Sequence, residues 1–231
     1  MNNASFLATE YQKYKLKTQQ ELQSLSENGG KMILFGCGGH ARSIVNVIRG
    51  LKENIEIILV DENATENELI LGCQTFGEHA MGEKDVYIIA VGDNAKRKKL
   101  YAALNHVALG RCVSIVAPNA HIGIDAKIGN GTFVSTNAYI GPQAEIGKNT
   151  IINTCSVIEH EVKVGDNTHI APNATVCGRS RIGNNVFCGA GSIIIDQINV
   201  CNDVVLGAGS VVRADIKEAG TYVGVPARKI K

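Results

Sequence analysis

Aliphatic side chains recur every six residues through the second half of the chain. The series runs Val116, Ile122, Ile128, Val134, Ile140, Ile146, Ile152, Ile158, Val164, Ile170, Val176, Ile182, Cys188, Ile194, Val200, Leu206 and Val212, with Cys188 the one non-aliphatic member. Glycine often follows at once, as at Gly123, Gly129, Gly141, Gly147, Gly165, Gly183, Gly189 and Gly207, and the residue four places after the aliphatic is usually small or β-branched. Each hexad therefore reads as a short strand and a corner. A unit with one apolar side chain cannot bury it alone, so the hexads must stack as coils of a parallel β-helix. An ordinary β-sandwich would alternate with period two between irregular turns and fits the pattern far worse.

The first half follows a different rhythm. An apolar run from Lys31 to Phe35 leads directly into Gly36, Gly38, Gly39 and His40, and then into a helical pattern carried by Ile44, Val45, Val47 and Ile48. A second run, Ile55 to Val60, ends in Asp61 and Glu62; a third, Val86 to Val91, ends in Gly92, Asp93 and Asn94 before a basic helical stretch. Strand, glycine loop and helix in this order predict a small Rossmann-like α/β domain with a parallel sheet. The loop glycines would let a ligand approach backbone N–H groups at a helix N-terminus, where phosphate is favoured, and Asp61 could accept from a ribose or base. The same loop could equally serve only to turn a strand into a helix. About 80 residues amount to one mononucleotide half, too small for a dinucleotide, so a nucleotide sugar fits better.

Residues 1–30 are polar, with too few apolar positions to demand packing, and are expected to form a mobile tail or loose helix. Domain boundaries follow at 1–30, 31–112 and 113–231. Lys plus Arg number 23 against 22 Asp plus Glu, so no global charge attracts nucleic acid or an anionic membrane. No apolar run approaches the roughly 20 residues of a spanning helix, and the polar start lacks the apolar core of a signal peptide, which predicts a cytoplasmic protein. Seven cysteines without a CxxC pair read as reduced thiols rather than disulfides or a zinc site.

One hexad breaks its own rule. After Ile158, where a small residue is expected, the chain reads Glu159, His160, Glu161. Acyl transfer from a thioester to an amine requires that the amine lose a proton as it attacks. His160 as general base with Glu161 as its electrostatic partner is chemically sufficient, although a solvated polar corner would look the same in sequence. His169 lies half an 18-residue coil further on and faces a different edge. In a trimer a neighbour could bring the two together, with His169 or backbone N–H groups on the developing oxyanion; a plain surface histidine is the alternative. The small corners at Gly178, Gly189-Ala190-Gly191 and Gly207-Ala208-Gly209 leave room for an extended pantetheine arm, or are simply sharp turns. Cys155, Cys177, Cys188 and Cys201 invite a covalent acyl-enzyme reading, but Cys188 holds a core position and none adjoins a histidine.

With the glycine loop, the unbroken hexads and the Glu159-His160-Glu161 cluster together, residues 31–231 resemble the sialic-acid O-acetyltransferase and UDP-4-amino-sugar N-acetyltransferase family, the bacillosamine-type hexapeptide-repeat acyltransferases. The most specific stretch runs from Asn153 to Glu161, followed by His169 and closed by Gly224, Pro226 and Arg228. The resemblance implies three hexads per coil, left-handed winding, five to six coils and a homotrimer. It implies N-acetylation of the amino group of a UDP-, GDP- or dTDP-linked 4-amino-4,6-dideoxy sugar by acetyl-CoA, without a metal. His160 would be the base and Glu161 its modulator. Gly38, Gly39, His40, Asp61, Glu62, Gly92 and Asn153 would hold the nucleotide sugar, and His169, Gly178, Ala190 and Ala208 would meet acetyl-CoA. Glu62 stands where bacillosamine-type enzymes carry Asp, and the segment before Lys31 is longer than usual. Sialic acid O-acetylation is the nearest alternative; a γ-class carbonic anhydrase shares the β-helix, but its zinc histidines are spaced more closely than His160 and His169.

Overall fold

The computed structural model describes residues 3–52, 54–65, 68–107 and 109–231. After an opening helix α1 (Asn3–Asn28), the α/β part runs β1 (Met32–Phe35), α2 (Gly39–Leu51), β2 (Ile57–Val60), β3 (Leu69–Ile70), β4 (Cys73–Phe76), β5 (Val86–Ile89), α3 (Asn94–Val107) and β6 (Arg111–Cys112). These strands form one sheet in the order β3-β4-β2-β1-β5-β6, parallel except for the β3-β4 pair. The runs β2 and β5 are buried along their whole length, which is why they read as unbroken apolar stretches rather than alternating ones. The order reverses at β1: one crossover leads to β2 and the chain later returns to β5 on the other side. A crevice opens at such a switch point, outside the carboxyl ends of the strands.

The hexads wind into a left-handed parallel β-helix with three flat faces. On the first face Ile115 pairs with Phe133, Phe133 with Ile151 and Ile151 with His169, each step being one 18-residue coil. The second face carries Tyr139, Val157, Thr175 and Ile193 in register, and the third carries Lys127, Glu145, Lys163 and Arg181. The hexad aliphatics point inward and all but the half-buried Ile128 are buried, Val134, Ile140, Ile152, Ile158, Ile170 and Val176 completely. Every sixth residue from Asp125 to Gly209 turns a corner in the left-handed region, with φ between 51° and 72°. Asn, Asp and Gly, which tolerate that region, hold most of these positions.

Of the two expectations for this segment, a mobile tail or a loose helix, the structure has a helix, and it is docked rather than loose. From Asn3 onward it is regular, and Leu22 and Leu25 are buried; residues 1 and 2 lie outside the described residues. The helix covers the open end of the prism. Tyr14 accepts a hydrogen bond from the Ile128 N–H at 3.0 Å, and Thr18 Oγ1 accepts from the Val116 N–H at 3.2 Å. Unpaired N–H groups at a strand edge need such partners. Further along the helix, Glu21 receives both guanidinium nitrogens of Arg111, tying it to the α/β sheet.

Candidate active site

A cavity of about 830 Å³ occupies the switch-point crevice. Its walls are the residues that follow four parallel strands: Gly36 and Gly38 to His40 after β1, Asp61 and Glu62 after β2, Gly77 to His79 after β4, and Val91 and Gly92 after β5. Gly36 must be glycine, since its φ is +123° and a Cβ there would come within 2.7 Å of the Ala90 carbonyl oxygen. The Asp61 carboxylate accepts from the Cys37 N–H at 3.2 Å and from the Asn63 N–H at 3.0 Å, so this residue holds the glycine loop in shape. Partial burial would raise its pKa, but these amide bonds outweigh it and the net shift is downward. The cavity thus gathers the predicted Gly38, Gly39, His40, Asp61, Glu62 and Gly92. It also includes Glu78, His79, Lys96 and Lys99, which sequence reasoning passed over. The lysines lie in a basic run that looks like any solvated helix face until the fold turns it toward the crevice.

The α/β domain sits on the first face of the prism. The His40 ring meets Phe133 edge-on at 5.3 Å, and His169 meets Phe187 at 5.1 Å. Loss of hydration, then the neighbouring His169 and Arg97 charges, push the pKa of His40 down to about 3. His40 Nε2 is buried and has no hydrogen-bond partner among the described residues. The structure places His169 beneath the same domain. It is only 8% exposed, and both ring nitrogens are occupied within the chain. The Gly92 carbonyl can only accept, so Nδ1 carries the proton and donates to it at 3.2 Å; Nε2 then accepts from Asn153 Nδ2 at 3.1 Å. Burial first, and the Arg97 charge second, lower its pKa to about 4. Asn153 is correspondingly a brace for this ring, its carbonyl taken by the Thr154 N–H.

His160 stands in another environment, at the corner between the second and third faces, with its side chain 45% exposed. Its Nδ1 lies 3.0 Å from Glu161 Oε2. Donation to that carboxylate places the proton on Nδ1 and leaves the Nε2 lone pair available, the state a general base needs. One coil further along, the corner residue is Gly178, where a Cβ would stand 2.5 Å from Nε2. Gly178 is therefore the seat of the imidazole rather than part of an open groove. Asp196 flanks the same spot and is bridged by Arg179 at 3.3 Å. The left-handed corner positions add a signal. The four long side chains forced into that conformation, Gln143, Glu161, Arg179 and Gln197, all stack at this one corner, one per coil. Backbone strain of this kind clusters where a side chain is wanted for function.

Ala190 and Ala208 stack one coil apart at the corner between the first and second faces, joined by the Gly209 N–H to the Ala190 carbonyl at 2.9 Å, and both are exposed. Cys188 lies in the core, where burial pushes its thiol up to about 12. Burial, then Glu159 and Asp196, likewise raise Cys177. Neither thiol is primed as a nucleophile.

Comparison with known proteins agrees with this architecture. Residues 31–104 match the family described as PglD N-terminal domain, and residues 125–160 and 144–178 match bacterial transferase hexapeptide (six repeats). No curated protein matches the chain by sequence. Among solved structures, the acetyltransferase domain of PglB from Neisseria gonorrhoeae is 26% identical over 87% of this chain and 99% of that one, with a TM-score of 0.81. A histidine variant of perosamine N-acetyltransferase from Caulobacter crescentus, in complex with CoA and GDP-perosamine, is 25% identical over 87% and 97% of the two chains, with a TM-score of 0.78. WeeI from Acinetobacter baumannii shares the fold at 18% identity, over 87% and 99%, with a TM-score of 0.73.

Proposed function

We propose that this chain, which belongs to the sugar N-acetyltransferase family, transfers the acetyl group of acetyl-CoA to the amine of a nucleotide-linked 4-amino-4,6-dideoxy sugar. The observation that carries the mechanism is the His160–Glu161 pair with its open Nε2. The likeness to an enzyme solved with CoA and GDP-perosamine supports the substrate class. Residues 31–112 would hold the nucleotide sugar in the switch-point cavity, and residues 113–231 would carry the transfer chemistry. Phosphate suits the N-terminus of α2 beside Gly38 and Gly39, with Lys96 and Lys99 on the facing helix.

None of Glu159, His160 or Glu161 lines that cavity. The base that serves one cavity would therefore come from a neighbouring copy, as a homotrimer allows. The amine attacks the thioester carbonyl while passing its proton to Nε2, and Glu161 stabilises the imidazolium that forms. Collapse of the tetrahedral intermediate breaks the C–S bond, and the imidazolium returns the proton to the departing thiolate. Acetyl-CoA would run past the small corners at Ala190 and Ala208. His169 and Asn153 support the cavity wall through the Gly92 carbonyl. Among the described residues no helix is long and apolar enough to cross a membrane, and a cytoplasmic enzyme fits its cosubstrate.

The test is a panel of UDP-, GDP- and dTDP-linked 4-amino sugars with acetyl-CoA, followed by thiol release and mass spectrometry of the product. One nucleotide class should turn over to an N-acetylated sugar. Thiol release with a sialic acid and none with any amino sugar would assign the chain to O-acetylation instead.

A further inference from the structure

Among the described residues Arg97 is the largest fully buried side chain, 1% exposed, and no carboxylate there bonds to its guanidinium. Its partners are all neutral oxygens from three places. Nη1 donates to the Val91 and Gly92 carbonyls, both at 3.1 Å, and these residues form the cavity wall after β5. Nε donates to the Asn149 carbonyl at 2.9 Å, and Nη2 to the Asn167 and Thr168 carbonyls at 2.9 and 3.2 Å, which are corners of two successive β-helix coils. Nη2 also reaches Asn94 Oδ1 at 2.6 Å, and the Asn94 amide in turn donates to the Val186 carbonyl one coil further on. Burying an unpaired cation is costly, and even with a raising contribution from Asp93 the net effect of burial brings its pKa down to about 10. A fork of five N–H donors spans these six acceptors, with one Nη2 hydrogen shared, whereas the compact ammonium of lysine could reach only one side of the set.

The Gly92 carbonyl is where these interactions converge. It accepts from Arg97 Nη1 and from His169 Nδ1, one group from its own domain and one from the prism. We infer that Arg97, with Asn94 and His169, is the positioning residue that fixes the Gly92 wall of the nucleotide-sugar cavity against the β-helix, so that sugar binding and base approach share one frame. This rests on the cavity being the nucleotide-sugar site of the proposed reaction. A wall that shifts by about an ångström is enough to impair a bound reactant's alignment. The corners at Ala190 and Ala208 lie outside this network, so acetyl-CoA affinity should not depend on it.

The experiment measures binding of UDP, GDP and dTDP, and separately of coenzyme A, to the full-length protein by calorimetry. Arg97→Lys and the milder Asn94→Ala are compared with wild type, with a thermal midpoint for each. For the nucleotide that wild type prefers, Arg97→Lys should weaken affinity about tenfold or more and Asn94→Ala by a smaller factor, with coenzyme A affinity unchanged. In turnover assays the KM for the sugar nucleotide should rise while that for acetyl-CoA stays put. Unchanged nucleotide affinity in both variants overturns the inference. So does parallel weakening of both ligands in step with a fallen midpoint in both variants, which marks a merely structural residue. Wild type that binds coenzyme A but no nucleotide overturns the reading of the cavity itself, and this inference with it.

Discussion

His160 and His169 lie nine residues apart on the same prism, yet the coil gives them opposite surroundings. His160 occupies a corner of the prism, half exposed and seated on Gly178, with a carboxylate on one nitrogen and no hydrogen bond to the other among the described residues. His169 occupies a face that the α/β domain covers, and its two nitrogens are spent on Gly92 and Asn153. The contrast teaches that solvation and partner type decide what an imidazole can do. A ring with one free lone pair in water can take up and return a proton; a ring locked in one tautomer can only hold neighbours in place. Replacing His160 by Ala should therefore lower kcat by about 10²- to 10⁴-fold while leaving the fold and the nucleotide affinity intact. Steady-state kinetics beside a melting curve checks this. Near-normal turnover would remove His160 from the base role and erase the contrast.

The buried side of the comparison makes its own prediction, in stability rather than rate. Folded His169 has a pKa of about 4 and folded His40 about 3, against an ordinary 6.5. Between those values and 6.5 the unfolded chain takes up protons that the folded chain refuses. Stability is thus full above about pH 6.5 and falls as pH drops toward 4. For His169 alone the gap from 6.5 to about 4 corresponds to about 3 kcal/mol. Urea unfolding at pH 7 and pH 4.5 should show this loss. His169→Gln, which cannot titrate, should show a pH dependence shallower by about 2 kcal/mol over the same interval. Equal pH dependence in the two proteins would mean that His169 is solvated after all.

How far each site could be read from the sequence follows the same division. The prism was legible because every hexad must bury its own aliphatic, a demand that repeats in register. Glu159, His160 and Glu161 stood out because they put a charged cluster at a position mostly kept small. The third residue of each corner held a further clue: it is mostly Asn, Asp or Gly except at the corner of Glu161, where Gln143, Arg179 and Gln197 also stand. The junction was not legible. Arg97 reads as one cation among Lys96, Lys98 and Lys99, and only tertiary packing tells which of the four is buried. His169 precedes an inward aliphatic and so points out of the prism; that it is covered depends on the other domain. The docking of the opening helix was not legible because much of what binds it to the prism is polar, a phenol and a hydroxyl on strand N–H groups, and such bonds leave no hydrophobic period.

That polar capping gives the smallest test of the idea that buried polar groups here serve structure. Thr18 is 1% exposed. Its hydroxyl donates to the Tyr14 carbonyl at 3.1 Å and accepts from the buried Val116 N–H at 3.2 Å. Thr18→Val keeps the shape but leaves the Val116 N–H at the prism's open edge without an acceptor. Desolvation without a partner costs about 1 to 2 kcal/mol, slightly offset by the added apolar methyl. For a chain of this size that corresponds to a thermal midpoint lower by roughly 3 to 5 °C. Activity at low temperature should be unchanged, because Thr18 bonds to the first coil, two coils before that of His160, and lines neither the nucleotide-sugar cavity nor the Glu161 corner. An unchanged midpoint would mean that water reaches the first coil and that the helix merely lies over it; a loss of activity at an unchanged midpoint would give the helix a part in the chemistry that its bonds to the first coil do not foreshadow.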